Sequence, residues 1–276
     1  MIKKFKALLL LPILFLFPSS LYAKDLIVTF LNVGEGDAIY IETPTKENLL
    51  IDTGNPLTAY RVIDFLNKNG VSSLDAVFIT HPHSDHAGGV FHILPRINVK
   101  ALYDNGQPIS DAPEYEAYRW YKKILKKSNY RAIEAGDVFQ YSDVKIQVLW
   151  PKGAISADWN ANSLVLKITY RDIVFLFMGD ANVDVENALL KEKVDLKAHV
   201  LKLGHHGAAD TARDAFLKVV APFYGIISSR AEDGNNYTDP GVIKRLLASK
   251  IKVLTTYSHG DITFKTDGKE IHLIGQ

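Results

Sequence analysis

The sequence predicts a layered α/β domain in which helices cover two β-sheets. Two observations support this prediction. Several short runs are apolar at every position, as strands buried between other layers are, and strands followed by helices occur twice along the chain. The chain has 276 residues, and no proline-rich linker or repeat period divides it. We therefore expect a single domain over residues 24–276.

The first half of this domain alternates short apolar runs with turn residues. Four of these runs are predicted strands: 26–31, 38–41, 49–51 and 76–79. Before the last of them, Val62, Phe65 and Leu66 fall on one helical stripe that ends before Gly70. The run at 76–79 is apolar throughout, so we expect it to be buried on both faces.

The second half repeats the pattern. A helix is predicted over 113–127, and four strands are predicted over 144–149, 163–168, 173–178 and 200–203. The third of these strands ends in Gly179-Asp180, and the fourth ends in Gly204-His205-His206-Gly207. Polar residues thus follow buried strands at several points along the chain.

The first 23 residues have the pattern of an export signal. Lys3, Lys4 and Lys6 precede an apolar run over 7–17, and the small residue Ala23 marks the expected cleavage point. The run is short for a membrane span, so we expect no stable membrane insertion after cleavage; a retained anchor is the alternative. The pattern predicts a protein that is exported, either periplasmic or secreted.

Composition adds two constraints. The chain has no cysteine, which fits an oxidising compartment and limits metal ligands to His, Asp and Glu. Without the three lysines of the signal, 29 basic residues remain against 31 acidic ones, a net charge of −2. Strong nonspecific attraction to a polyanion is therefore not expected from net charge.

The segment after the 76–79 strand carries a metal-binding pattern. His81 and His83 are two residues apart, which places both imidazoles on one side of an extended backbone, and Asp85 and His86 follow as the chain turns. Burying these four side chains together would be costly without a cation. A solvated surface loop is the alternative, but the exit from a buried strand favours a metal site.

Three further strand ends offer ligand-type residues, namely Asp52, Asp180 and His205. Strands aim the side chains at their ends toward a shared point, as a sheet-based active site requires. Taken alone, each aspartate is equally well explained as a turn former or a helix cap.

Together these motifs resemble the metallo-β-lactamase superfamily. The order is Asp-Thr-Gly, Thr-His-x-His-x-Asp-His-x-Gly-Gly, Gly-Asp and His-His-Gly. Within the superfamily, the sequence is most similar to the hydrolase domain of ComEC-type DNA-uptake proteins and to their secreted phosphodiesterase relatives. The segment 31–38, Leu-Asn-Val-Gly-Glu-Gly-Asp-Ala, and the segment 160–166, Asn-Ala-Asn-Ser-Leu-Val-Leu, carry that closer resemblance.

The resemblance implies an αββα sandwich, with two mixed sheets flanked by helices and two divalent metal ions between the sheet edges. His81 and His83 would hold one ion, Asp85, His86 and His205 would hold the other, and Asp180 would bridge them. Asp52 would lie behind the ligands and orient the histidine loop. Asn162 and Ser163 fall where many superfamily members place another metal-binding histidine, so the first ion has an open, oxygen-rich shell suited to manganese as well as zinc.

The expected reaction is hydrolysis of a phosphodiester by a metal-activated water. Asp85 and His206 are the predicted catalytic residues, with a buried structural histidine as the alternative for His206. The substrate would be a phosphodiester-containing small molecule or single-stranded nucleic acid. Hydrolysis of carboxylic esters, lactones or thioesters is the enzymatic alternative, and a metal-containing binding module is the non-catalytic one.

A basic, aromatic segment bears on the choice of substrate. Basic residues at 119, 122, 123, 126 and 127 lie near Tyr115, Trp120, Tyr121 and Tyr130, a combination that attracts a nucleic-acid backbone and stacks its bases. The alternative, which the acidic balance of the domain favours, is a solvated helix face with aromatic residues packed beneath it.

Overall fold

The computed structural model describes residues 25–108, 116–230 and 238–275, so the predicted export signal lies outside the described residues. The strands are β1 (Leu26–Phe30), β2 (Ile39–Glu42), β3 (Asn48–Ile51), β4 (Ser73–Leu74), β5 (Ala76–Ile79), β6 (Asn98–Val99), β7 (Leu102–Asp104), β8 (Tyr130–Ala132), β9 (Val138–Tyr141), β10 (Val144–Trp150), β11 (Val165–Tyr170), β12 (Ile173–Phe177), β13 (Val200–Lys202), β14 (Tyr224–Ile227), β15 (Lys252–Thr255), β16 (Ile262–Thr266) and β17 (Ile271–Ile274). The helices are α1 (Ala59–Lys68), α2 (Ser84–Ala87), α3 (Val90–Ile93), α4 (Glu116–Leu125), α5 (Val183–Lys191), α6 (Asp214–Val220), α7 (Pro240–Ala248) and α8 (Thr256–His259).

Two large mixed sheets form the centre of the molecule. The first has the order β17-β16-β1-β2-β3-β5-β7-β8, and the second has the order β15-β14-β13-β12-β11-β10-β9. Their inner faces share one apolar core, in which Phe30 of β1 meets Phe177 of β12 with ring centroids 5.6 Å apart. Strands alternate inward- and outward-facing residues, so each sheet also needs cover on its outer face.

Helices provide that cover on both sides. One outer core joins the first sheet to α1, α3 and α4, and another joins the second sheet to α5, α6 and α7. The layers are therefore helix, sheet, sheet and helix, which confirms the predicted αββα sandwich with two mixed sheets. In the part of the chain described, no helix is long and apolar enough to cross a membrane.

The parallel strands determine where the polar strand ends gather. In the first sheet, β3, β5 and β7 run parallel, and in the second sheet β12, β13, β14 and β15 do. Their carboxyl ends lie at one edge of each sheet, as in other parallel arrangements. A backbone hydrogen bond of 2.9 Å from Leu164 N to Thr80 O joins the two edges. Residues from both sheets thereby converge at one end of the sandwich.

The predicted elements differ from the structure mainly at their ends. The helix predicted over 113–127 is present as α4, and residues 113–115 lie outside the described residues. The strand predicted from Ser163 begins at Val165, because Asn160–Asn162 form a 3-10 turn before it. Asn162 and Ser163 therefore lie in a loop at the converging end rather than within a strand.

Candidate metal centre

Four ligand-type side chains form the larger of two groups at this end of the sandwich. Asp85 and His86 come from α2, Asp180 follows β12, and His206 follows β13; their nearest ligand atoms all lie within 4.8 Å of one another. His86 Nε2 is 3.2 Å from Asp180 Oδ1, and His206 Nε2 is 3.3 Å from Asp85 Oδ2. This is a mixed imidazole and carboxylate set, which suits a divalent transition metal.

The second group shares one member with the first. His81, His83 and Asp180 also offer ligand atoms within 4.8 Å of one another. His81 Nε2 lies 2.9 Å from His83 Nδ1 and 3.8 Å from Asp180 Oδ2, whereas Asp180 Oδ1 faces the larger group. Each oxygen of the Asp180 carboxylate thus faces a different group, as a bridging carboxylate does.

The buried histidines are held by hydrogen bonds at their other ring nitrogens. His86 Nδ1 lies 2.8 Å from Asp52 Oδ2, and His206 Nδ1 lies 3.0 Å from the carbonyl oxygen of Ser228, which accepts its hydrogen bond. Such partners fix the tautomer and the ring orientation of a metal-binding histidine. In both rings Nε2 is therefore the nitrogen directed at the carboxylates.

Asp52 lies behind the histidine segment and bonds it at two points. The side chain is fully buried, and besides His86 it accepts hydrogen bonds from Thr80 N at 2.7 Å and from Thr80 Oγ1 at 2.8 Å. Thr80 immediately precedes His81, so one carboxylate fixes both ends of the histidine segment. Burial raises the pKa of Asp52, while the neighbouring His86 acts to lower it.

Close backbone packing places the α2 segment. The backbone at Gly36 approaches Asp85 so closely that a Cβ there would lie 2.0 Å from Asp85 O, and a Cβ at Gly89 would lie 2.1 Å from Thr53 O. Only glycine permits both approaches. The glycines at 36 and 89 in the sequence motifs therefore set the depth at which Asp85 and His86 sit.

An ion pair lies beneath the larger group. Lys202 of β13 is fully buried, and its Nζ lies 2.8 Å from Asp37 Oδ2 and 2.9 Å from Leu203 O. Asp37 and Asp52 also approach His86 closely enough to form a third cluster of potential ligands. Lys202 pairs with Asp37, and His86 Nδ1 bonds Asp52. We therefore interpret this third cluster as residues that hold His86 in place, and not as a third metal site.

The charges in the larger group are strongly coupled. Burial lowers the pKa of His206, but Asp180 and Asp85 raise it to about 10 in the metal-free protein. Burial likewise lowers the pKa of His86, and Asp180, Asp85 and Asp52 raise it well above its ordinary value. Burial raises the pKa of Asp180, yet His206 and His86 hold it well below its usual range. Positive charge is therefore favoured between these carboxylates.

A metal ion fits the donors that this group presents. His86 Nε2, Asp180 Oδ1 and His206 Nε2 are all buried, and no residue in the described ranges gives them a hydrogen bond. Unsatisfied buried polar atoms are costly, so a cluster of them directed at one another fits a cation-binding site. Two protons, one on His86 and one on His206, or one divalent cation would neutralise the carboxylates of this group, so protons and metal compete for the site.

The structure corrects the expected position of His205. Its side chain is 36% exposed, its Nδ1 lies 3.4 Å from Asp210 Oδ1, and it belongs to neither ligand group, whereas the adjacent His206 faces Asp85 and Asp180. Both histidines have positive φ values, 43° and 52°, so the chain turns sharply here and directs successive rings to different places. Strand-end position alone did not distinguish the two rings. His206 therefore takes the place in the larger group that was expected for His205.

Asn162 and Ser163 differ in what they do. Asn162 is bonded within its loop, where Oδ1 accepts from Ser156 N at 2.8 Å and Nδ2 donates to Gln107 Oε1 at 2.6 Å. Ser163 Oγ lies 3.3 Å from His81 Nδ1 and accepts a hydrogen bond from Asp180 N at 3.1 Å. Ser163 thus supports both a histidine and the shared aspartate, while Asn162 holds the loop in shape.

Aromatic side chains border the His83 side of the site. The ring of Trp159 lies 5.3 Å from that of His83, and the ring of Tyr118 on α4 stands edge-on to Trp159 at 4.5 Å. Sequence reasoning singled out neither residue, because neither belongs to a motif and they are distant in sequence. The basic aromatic segment is mixed: Tyr121 is buried, Trp120 is 53% exposed under Lys123, and Tyr115 lies outside the described residues.

Two groups of potential metal ligands thus lie at one end of an αββα sandwich. The sequence profile of the Metallo-beta-lactamase superfamily matches residues 31–229, and the chain belongs to this superfamily of metal-dependent hydrolases. The profile spans every ligand candidate from His81 to His206.

Two related sequences and one solved structure are consistent with this assignment to the superfamily. The chain is 27% identical over 260 residues to ComE operon protein 3 of Bacillus subtilis (strain 168), covering 86% of this chain and 33% of that protein. It is 28% identical over 249 residues to Competence protein ComA of Neisseria gonorrhoeae, covering 90% of this chain and 33% of the relative. The chain thus spans about a third of the length of these relatives. The metallo-β-lactamase fold protein YhfI of Bacillus subtilis superposes with a TM-score of 0.60 at 12% identity, covering 88% of this chain and all of that one, which shows the shared fold.

Proposed function

We propose that this protein is an exported metal-dependent phosphodiesterase or nuclease. The observation that carries the proposal is the position of Asp180, whose two carboxylate oxygens face two separate groups of potential ligands. Paired cations joined by a carboxylate occur in many phosphatases and nucleases. The ComEC-like motifs at 31–38 and 160–166, together with the relatedness to Competence protein ComA, support a phosphodiester rather than a lactam as substrate.

Each ligand candidate has a defined role in this proposal. His81, His83 and Asp180 would hold one cation, and Asp85, His86, Asp180 and His206 would hold the other. Two divalent cations bound there would supply an activated water and neutralise charge on the phosphoryl oxygens. The mixed nitrogen and oxygen donors suit zinc or manganese.

The two predicted catalytic residues separate in this arrangement. His206 directs Nε2 at Asp85 and Asp180 and commits Nδ1 to Ser228 O, so we assign it as a ligand and not as a proton relay. The Asp85 side chain is 21% exposed, whereas those of His86, Asp180 and His206 are almost completely buried. Asp85 is thus the member of the larger group best placed to contact both water and substrate.

The surroundings of His83 favour a substrate with a planar group beside the phosphate. Trp159 and Tyr118 provide aromatic surface next to His83, and α4 carries basic side chains, one of which lies 4.3 Å above the exposed ring of Trp120. Aromatic rings with nearby cations bind single-stranded nucleic acid by stacking and backbone attraction. We therefore propose single-stranded nucleic acid or a nucleotide-like diester as substrate.

Purified protein tests the proposal directly. We expect it to contain two equivalents of zinc or manganese and to hydrolyse bis-p-nitrophenyl phosphate and a short single-stranded oligonucleotide. Asp180→Asn should abolish hydrolysis, because the amide lacks the charge that both groups share. His272→Ala, which removes an exposed imidazole on β17, is the matched control and should leave the rate unchanged.

A panel of other substrates separates the competing functions. Turnover of carboxylic esters, lactones or thioesters without turnover of diesters would establish the other hydrolase class, and tight metal binding without any turnover would establish a binding module. Full diester activity in an Asp85→Ala, His86→Ala double variant would refute the proposed site. Export is tested by fusing residues 1–23 to a reporter enzyme that is active only outside the cytoplasm.

A further inference from the structure

The smaller ligand group lacks a donor on the side of the β10–β11 loop. His81, His83 and Asp180 provide two imidazoles and one shared carboxylate. Ser163 does not complete the set, because its Oγ already accepts the hydrogen bond of Asp180 N and lies beside His81 Nδ1, the nitrogen that faces away from the group. A tightly held ion in such a site ordinarily has one more protein ligand.

Asn160 lies where that donor is needed. Its side chain lies within hydrogen-bonding reach of the His83 ring, and the ring of the adjacent Trp159 lies 5.3 Å from that of His83. Asn160 Oδ1 is buried, and no group in the described portion of the chain gives it a hydrogen bond of good geometry. A buried amide oxygen without a partner is destabilising, so its retention beside His83 calls for a ligand.

His205 fixes the orientation of this amide. Asn160 Nδ2 lies 3.2 Å from His205 Nε2. In the tautomer that carries its proton on Nδ1, His205 accepts a hydrogen bond from the amide nitrogen at Nε2. The amide oxygen is then the end of Asn160 that remains directed away from His205.

The backbone around Asn160 is held firmly. Asn160 N donates to Asp158 Oδ1 at 3.0 Å, Trp150 Nε1 donates to Ala161 O at 2.7 Å, and Asn105 Nδ2 donates to Asn162 O at 2.8 Å. Ligands held before the metal arrives lose little freedom on binding, which increases affinity. The loop is therefore organised to present one particular amide.

We infer that Asn160 Oδ1 is a further protein ligand at the smaller cation site, and that His205 positions it. The inference rests on the proposed two-cation centre. It also gives a role to His205, which lies next to the ligand His206 and yet belongs to neither ligand group. His205 would then orient Asn160 as Asp52 orients His86 in the larger group.

Metal titration of the purified full-length protein tests this assignment without relying on catalysis. Metal-free protein is titrated calorimetrically with Mn²⁺ and with Zn²⁺, and bound metal is counted after dialysis. We expect two equivalents for the parent protein. Asn160→Ala should keep one of them and bind the other at least about 10- to 100-fold more weakly, the loss that follows removal of an outer-shell partner of a metal ligand. Asn160→Asp should restore the second equivalent, because it keeps the oxygen and adds charge.

Two further variants complete the design. Asn67→Ala removes an exposed amide on α1 and should bind like the parent. His205→Ala should weaken the same equivalent as Asn160→Ala but less severely, and the double variant should be no weaker than Asn160→Ala alone. Thermal melting of each metal-free variant shows whether it is folded, and Asn160→Asp serves as the test if Asn160→Ala is not.

The outcomes distinguish this inference from the proposed function. Two unchanged equivalents in Asn160→Ala, or a second equivalent that Asn160→Asp fails to retain, would overturn the assignment even if the parent hydrolyses diesters. Loss of one equivalent in Asn160→Ala, together with no diester hydrolysis by the parent, would uphold the assignment and refute the function. A parent protein that binds only one cation would overturn the assignment outright.

Discussion

The buried pair of Lys202 and Asp37 offers the sharpest test of how the two sheets are joined beneath the site. Lys202 belongs to β13 of the second sheet, and Asp37 lies in the loop that leads into β2 of the first. The side chains are 0% and 2% exposed, and their charged atoms are 2.8 Å apart. Asp37→Ala would leave the Lys202 ammonium with only one acceptor among the described residues, Leu203 O at 2.9 Å.

The expected cost follows from this geometry. Removing one partner of a buried ion pair typically destabilises a protein by about 3–5 kcal/mol, because the remaining charge stays desolvated. For a domain of this size that corresponds to a fall in melting temperature of roughly 6–20 °C. Replacing both partners by apolar residues of similar volume should cost much less, since no charge is then left unpaired.

Equilibrium urea denaturation measures the prediction. The free energy of unfolding is compared for the parent, Asp37→Ala, Lys202→Met and the Asp37→Leu, Lys202→Met double variant, all stripped of metal. We expect the double variant to be more stable than Asp37→Ala. A loss of less than about 1 kcal/mol in Asp37→Ala, the range of an exposed pair, would refute the reasoning, as would a double variant less stable than either single one.

Three other predictions concern the site itself. Gly36→Ala should destabilise the fold by about 1–3 kcal/mol and weaken metal binding, as shown by denaturation and calorimetry, whereas Gly136→Ala has a similar φ, 104° against 106°, but no atom within 4 Å of the new Cβ and should leave metal binding intact. Trp159→Ala should raise KM for single-stranded oligonucleotides roughly 5- to 150-fold in steady-state assays while sparing diesters with small alkyl groups; an equal effect on both would contradict stacking. Because the pKa of His206 is raised to about 10, its charged form contributes stability that is complete below pH 6.5 and is lost as pH rises toward 10, so metal-free protein should unfold at lower urea concentration at pH 10 than at pH 6; an unchanged midpoint would contradict this.

Much of the fold was predictable because its strongest signals are local. The ligands follow strands that consist mainly of apolar residues, and such apolar runs can be recognised in the sequence. Edge strands were harder to recognise from the sequence. The strand β8 (Tyr130–Ala132) exposes two of its three residues, so it lacks the apolar pattern of a buried strand, and its pairing with β7 depends on a contact distant in sequence.

Some residues of the candidate site could likewise be predicted from the sequence, and others could not. The segment from His81 to His86 was identifiable because all its donors lie within six residues, and Asp52 and Asp180 followed from their positions after buried strands. His206 lies in the larger ligand group, where His205 was expected. Their separation depends on two successive positive φ values, which alternation along a strand does not encode.

The sequence alone determined the layered α/β architecture, the superfamily resemblance and the identity of most potential ligands, because periodicity and motif spacing are properties of neighbouring residues. Only the tertiary structure decided which histidine faces Asp180, which amide approaches His83 and which lysine neutralises Asp37. Each of these contacts joins residues from different elements, and Lys202 lies 165 positions from Asp37 in the chain. Such contacts form only when both sheets pack together, since the shared apolar core between them brings the two sets of strand ends to one place.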